Sequence, residues 1–134
     1  MKGEFQQLAA APTGYDPETE KFTAVGIASV TGDLAGFWVE HLKFTIDPLT
    51  GNAKGTSDQT FYGRASDGTS GTLRVFERIV TIDGATHVSH AEGKILGGTG
   101  DWKKSSGYYW ADGFLAGPTG VGDWCANWVR PRRG

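Results

Sequence analysis

Residues 97–107 read GGTGDWKKSSG, and the glycine spacing of this stretch admits two interpretations. A phosphate-binding loop needs the pattern Gly-x-x-x-x-Gly-Lys-Ser/Thr, followed by a helix. Here Gly98, Gly100 and Lys103 have a different spacing, and the sequence that follows, SGYYW, is typical of a strand. No helix N-terminus is therefore predicted that would bind an anion. We interpret the stretch as a tight corner between two strands, with Trp102 filling one end of the fold and the two lysines in solvent.

Turn-forming sequences recur along the whole chain at intervals of roughly ten residues. They are TGDLAG (31–36), DPLTGN (47–52), SDGTSG (66–71), DG (83–84, predicted as a two-residue hairpin turn), GGTGD (97–101) and GPTGVG (117–122). Regularly spaced short strands with such turns are typical of a sandwich or a barrel. With GEFQQL as a first strand the count is about eight, and that number closes into a barrel without open edges. The sequence thus predicts an all-β fold, a single closed antiparallel barrel of about eight strands.

Composition and charge favour a single soluble domain spanning residues 1–134, with residues 1–20 and 130–134 as flexible ends. The net charge is −2 and no basic stripe is present, so neither a nucleic-acid partner nor a membrane partner is expected. The basic RPRRG end is interpreted as a solubilising tail. One cysteine and the lack of a signal-like N-terminal run favour the cytoplasm.

Two acids stand on apolar faces of predicted strands. Residues 37–46 place Glu40 with Trp38 and Leu42, and residues 73–82 place Glu77 with Leu73, Val75 and Ile79. A carboxylate in an apolar wall either forms an ion pair or has a raised pKa. In either state it could be part of a functional site, as an acceptor that orients a ligand or as a group that carries a proton. The alternatives are that an acid faces solvent, or that Glu77 pairs with Arg74 or Arg64 across strands.

The same reasoning supplies the other candidate site residues. Arg78, between Phe76 and Val80, could bind a carbonyl or carboxylate with its guanidinium group, although extension into solvent is equally compatible. Tyr109 and Tyr62 could donate a hydrogen bond to a ligand. The candidate catalytic residues are Glu40, Glu77, Arg78 and Tyr109, and the candidate substrate-binding residues are Trp38, Tyr62, Phe76, Trp110 and Trp124. The other interpretation of the aromatic residues is ordinary core.

Neither a metal site nor a cofactor is predicted. His87 and His90 are three residues apart on a predicted strand, so they point to opposite faces. Cys125, between Trp124 and Ala126, is interpreted as a small buried thiol rather than a nucleophile. No Gly-x-Ser-x-Gly nucleophile elbow occurs in the chain.

Residues 91–108, AEGKILGGTGDWKKSSGY, resemble the motif of the allene oxide cyclase and dirigent barrel superfamily. The positions that carry the resemblance are Gly97, Gly98, Thr99, Gly100, Trp102 and Gly107. GTSGTLRVFERI resembles the preceding strand pair, and SVTGDLAG resembles a corner of small bacterial members. The resemblance implies a small eight-stranded barrel with a hydrophobic cavity.

The resemblance also implies a function, because members of the superfamily include cofactor-free cyclases. The expected activity is that of a cyclase or isomerase in natural-product biosynthesis, acting on an apolar, partly oxygenated, polyketide-like molecule. Two alternatives stay open: a barrel that binds a small apolar ligand without chemistry, and a structural or oligomerising barrel. The short length and single cysteine of this chain argue against radical coupling as in the plant members.

Overall fold

The computed structural model describes residues 1–130, which form eight β-strands. The strands are β1 (Lys2–Asp16), β2 (Lys21–Gly32), β3 (Leu34–Ile46), β4 (Ala53–Ala65), β5 (Ser70–Ile82), β6 (Val88–Gly100), β7 (Ser106–Ala116) and β8 (Thr119–Val129). No helix within the described range is long and apolar enough to cross a membrane. Most of the predicted basic tail, residues 131–134, lies outside the described residues.

The strands form one closed antiparallel barrel in which each strand pairs with the next and β8 pairs with β1. This confirms the predicted fold class. The closing contact joins residues 2–7 of β1 to residues 120–125 of β8. Beyond Gln7, β1 pairs only with β2, so the β1–β2 hairpin extends past the seam.

A β-bulge in β5 changes the predicted inside-outside pattern. Glu77 pairs with Gly93 of β6, whereas Ile79 pairs with Glu92, which leaves Arg78 as an extra residue. An extra residue reverses the alternation of a strand. The prediction that Ile79 shares the face of Glu77 is therefore wrong.

The predicted two-residue turn at Asp83-Gly84 is also wrong, because β5 and β6 are joined by five residues, 83–87. The Asp83 N–H donates to the carbonyl of Val88, and the His87 N–H donates to the carbonyl of Asp83, each at 2.9 Å. The Gly84 N–H also donates to Asn52 Oδ1 at 2.8 Å, and this hydrogen bond joins the β5–β6 loop to the neighbouring β3–β4 loop.

Trp102 closes one end of the barrel, as the sequence predicts. The turn that carries it follows β6, and its side chain is fully buried. Its ring stacks on Phe61 at 5.9 Å and meets Trp128 edge-on at 5.3 Å, while its Nε1–H donates to Thr69 Oγ1 at 2.9 Å. The GGTG residues belong to the last part of β6, and both lysines of the turn are exposed.

Arg130, predicted to begin the solubilising tail, is instead part of this closed end. Its guanidinium carbon lies 4.2 Å from the centre of the Trp128 ring, and its Nη1 donates to Thr69 Oγ1 at 2.8 Å. Arg130 also forms an ion pair with Asp67. A cation stacked on an aromatic ring and paired with an acid is fixed in place rather than solvated.

Candidate functional site: an acidic cavity inside the barrel

The barrel contains a cavity of about 330 Å³ at the end opposite Trp102. Turn residues such as Gly51, Gly84 and Gly117 form its rim. Inside, the walls are mostly apolar side chains from most of the strands: Phe5, Ala24, Trp38, Leu42, Phe44, Val80, Ala91 and Leu115. A cavity of this size matches those that hold small organic molecules in other proteins.

Two carboxyls stand in this wall, Glu40 on β3 and Glu77 on β5. Their side chains are buried, with the residues 8% and 3% exposed. The strand between them, β4, places Gln59 opposite Glu40 and Ser57 opposite Glu77. None of the ion pairs within residues 1–130 includes either glutamate. The predicted pairing of Glu77 with Arg74 is therefore excluded, because Arg74 pairs with Asp58 on the outer surface.

The burial of the two acids raises the pKa of each. Burial raises the pKa of Glu40 from 4.5 to about 7. The pKa of Glu77 is raised well above 4.5, first by burial and then by the negative charge of Glu40. Two carboxyls that repel each other in an apolar wall hold a proton at neutral pH. The pair can therefore both donate and accept protons under physiological conditions.

Tyr109 on β7 adds a phenol to the same wall. Burial, followed by the charges of Glu77 and Glu40, raises its pKa well above 10, so the hydroxyl remains a hydrogen-bond donor. Its ring meets Trp38 edge-on at 6.1 Å, and the Trp38 ring contacts Phe5 at 5.0 Å. These aromatic contacts hold both rings between the cavity and the closed end.

Several buried polar atoms in this region make no hydrogen bond of good geometry to residues 1–130, although Ser57 lies close enough to Glu77, and Gln59 to Tyr109, to oppose the rise in the pKa of each. They are Trp38 Nε1, Ser57 Oγ, Gln59 Oε1 and Tyr109 Oη, together with Trp128 Nε1 near the closed end. An unpartnered buried polar group costs about 1–3 kcal/mol. Four such atoms beside two buried acids therefore form a region that a polar ligand group would stabilise.

Of the predicted site residues, four come together in the cavity wall: Trp38, Glu40, Glu77 and Tyr109. Trp124 also points inward and is 3% exposed, but it lies nearer the closed end. Its Nε1–H donates to the carbonyl of Thr31 at 3.2 Å, so the position is that of a core residue.

The other four predicted residues point outward, so they do not line this cavity. Phe76 lies between the inward Val75 and Glu77, so alternation directs it away from the cavity. Tyr62 is 51% exposed and Trp110 36% exposed. Arg78 bonds to Glu92 at 3.1 Å on the outer surface. In each case the residue type suits a site, but the side chain lies on the outer face of its strand and not on the face that lines the cavity.

Three buried side chains of the polar region were not predicted from the sequence: Gln7, Ser57 and Gln59. The signal was present in β4, where Ser57 and Gln59 alternate in step with Phe61. A polar residue on the face of a buried phenylalanine is a candidate interior group.

His87 and His90 both border the cavity, whereas His41 and Cys125 are not among its lining residues. His90 bonds to Asp112 at 2.5 Å and to Glu92 at 3.1 Å on the outer surface, and these acids raise its pKa. Cys125 is exposed, so its predicted burial is wrong. Within residues 1–130, no three His, Cys, Asp or Glu side chains are grouped so that they could hold a metal ion.

Comparison with protein-family models finds no match to this chain, and comparison with curated proteins finds none either. The resemblance to the allene oxide cyclase and dirigent barrels therefore stays a prediction. The proposal for a function therefore depends on the barrel, its cavity and the two acids in the cavity wall.

Proposed function

We propose that this protein is a cofactor-independent cyclase or isomerase that shapes an apolar, partly oxygenated small molecule, such as a polyketide, inside the barrel cavity. The observation that carries the proposal is the pair of buried carboxyls, Glu40 and Glu77, in the wall of an open cavity, with no ion pair to a cation of residues 1–130. Burying acids in this way costs stability. Perturbed acids in a cleft mark sites where protons are moved.

The apolar wall supports the shaping part of the proposal. A flexible chain that enters a cavity of about 330 Å³ must fold back on itself. Holding the reacting atoms near each other removes part of the entropic barrier that the reaction of the free molecule has in water. The polar region formed by the two acids and Tyr109 then polarises an oxygen of the substrate or transfers a proton.

The test uses a panel of linear polyenes that carry a ketone or a hydroxyl group, with products identified by mass spectrometry and NMR. The wild-type protein is expected to form a cyclised or isomerised product. E40Q and E77Q are expected to form it at least about tenfold more slowly, because each removes a proton-transferring group. R78Q is the matched control, since the Arg78 side chain lies outside the barrel and is 63% exposed.

Equal rates in E40Q, E77Q and the wild-type protein would contradict the proposed chemistry. Binding of the same compounds without any product would indicate a ligand-binding barrel instead. Boiled protein supplies the uncatalysed rate in both cases.

A further inference from the structure

We infer that the reacting part of the substrate is a carbonyl group with a hydrogen on the adjacent carbon, that Glu40 removes this hydrogen as a proton, and that Tyr109 donates a hydrogen bond to the carbonyl oxygen. The inference rests on the proposed function, and it adds the substrate class and the base.

Glu40 is the better placed of the two acids to act on a ligand. It is 8% exposed, against 3% for Glu77, although both line the cavity. On one side its strand partner is Gly26, and the Gln7 amide occupies the space beside that glycine, since a Cβ there would lie 2.7 Å from Gln7 Nε2. On the other side its partner is Gln59, whose Oε1 accepts no hydrogen bond from residues 1–130. No ion pair within the described residues holds Glu40 away from the cavity.

Tyr109 and Trp38 carry the hydrogen-bond donors that could bind an oxygen atom of the ligand. Both residues line the cavity, and the Tyr109 hydroxyl and Trp38 Nε1 are buried in its wall. Within residues 1–130 neither atom makes a hydrogen bond of good geometry, although Gln59 lies close enough to Tyr109 to oppose the rise in its pKa. Trp38 Nε1 can only donate a hydrogen bond, and the phenol of Tyr109 can donate one as well. A carbonyl oxygen has two lone pairs that accept hydrogen bonds, whereas a hydrocarbon ligand would leave both donors unsatisfied. The unpartnered donors therefore favour a carbonyl compound over a purely apolar one.

The proton transfer balances without any other reactant. The carboxylate of Glu40 takes the hydrogen on the carbon next to the carbonyl as a proton. The electron pair of the broken C–H bond forms a carbon–carbon double bond, and the carbonyl π pair moves to oxygen, where the Tyr109 hydroxyl stabilises the charge. Glu40 then returns the proton. Return to the same carbon exchanges its hydrogen or inverts its configuration, whereas return to a conjugated carbon moves the double bond and so isomerises the substrate.

The ionisation of the two acids is compatible with these roles. Glu40, with a pKa of about 7, is partly ionised at neutral pH, as a general base requires. Glu77 holds its proton more strongly because it is buried and lies near the charge of Glu40. The rate of proton removal is therefore expected to rise with pH through the ionisation of Glu40.

The experiment measures exchange of hydrogen for deuterium next to the carbonyl of three probe ketones in D₂O: cyclohexanone, 2-nonanone and 2-acetylnaphthalene. The wild-type protein is expected to accelerate exchange of at least one probe, observed as loss of the proton signal by NMR. E40Q is expected to lower the rate about 100-fold or more, and Y109F about tenfold or more. E18Q, in the exposed β1–β2 turn, is expected to match the wild-type protein.

Two results would overturn the inference: no acceleration of any probe by the wild-type protein, or unchanged exchange in E40Q. Circular dichroism checks that each variant is folded. If E40Q does not fold, E40D keeps the charge but withdraws the carboxylate, and an unchanged rate in E40D would overturn the inference equally. Conversion of the polyene panel without ketone exchange would contradict this inference and leave the proposed function standing. The reverse result would contradict the proposed substrate class.

Discussion

At the scale of single residues, the main feature is the unfavourable free energy of burying the carboxyl groups of Glu40 and Glu77. Each side chain is buried against apolar neighbours, and within residues 1–130 no cation compensates either of them. Charging such a group in the folded state is unfavourable, whereas the unfolded chain ionises at the ordinary pKa. The cavity therefore makes the stability of the protein depend on pH.

Stability is expected to fall as the pH rises. Between pH 4.5 and about 7 the folded protein keeps a proton on Glu40 that the unfolded chain has released. Glu40 alone should lower the free energy of unfolding by about 3 kcal/mol over this range, since one pKa unit corresponds to about 1.4 kcal/mol. Glu77, whose pKa is also raised, adds to the decrease over the same range and extends it to higher pH. The measurement is urea unfolding, followed by tryptophan fluorescence, from pH 5 to pH 9.

E40Q removes one of the two titrating groups and should make this curve less steep, while Glu77 still titrates. E18Q is the control, because Glu18 is exposed and its loss should leave the slope unchanged. If the curve of E40Q ran parallel to that of the wild-type protein, Glu40 would not be one of the titrating groups.

At the scale of elements, the alternation of apolar residues predicts the strands better than it predicts their faces. Trp38, Glu40 and Leu42 on β3 have the expected inward face because that strand pairs with β4 without a bulge. On β5 the bulge after Glu77 ends the alternation, and it depends on pairing with β6, a contact that the local sequence does not encode. Residue polarity also fails to predict the inward face of these strands, because polar and apolar residues occupy both faces. The outward side chains of Arg78, Phe76 and Tyr62 are examples.

Gly93 shows how tightly β5 and β6 approach at this bulge. A Cβ atom at Gly93 would lie 2.4 Å from the carbonyl oxygen of Phe76 and 2.9 Å from the Cα of Glu77. G93A is therefore expected to lower the free energy of unfolding by about 1–3 kcal/mol, because the backbone must separate. The measurement is thermal and urea unfolding. G14A is the control, as its Cβ would meet only the Thr23 hydroxyl, at 3.1 Å. Equal losses in both variants would contradict the proposed clash.

At the scale of the whole molecule, the seam between β1 and β8 closes the barrel with six paired residues on each strand. Met1 and Ala126 exchange two backbone hydrogen bonds, of 3.1 and 2.9 Å. The next pair, Lys2 and Cys125, is therefore a non-hydrogen-bonded pair, in which Cα atoms lie about 4.5 Å apart. That separation lies within the range of disulfides.

K2C should therefore form a disulfide with Cys125 across the seam. Both side chains are exposed, so an oxidant can reach them. Closing almost the whole chain into one loop is expected to stabilise the oxidised protein by about 5 kcal/mol. Thermal unfolding with and without dithiothreitol measures the effect, and K2C with C125S is the control. Two free thiols after oxidation would contradict the pairing of these strands.

The closed end at Trp102 has a kinetic consequence for any turnover in the cavity. Phe61, Trp128 and Arg130 pack around it, and among residues 1–130 the cavity opens at the other end. In any reaction inside this cavity, substrate and product would use that one opening and contact the same wall. Added product is therefore expected to raise the KM and leave kcat unchanged.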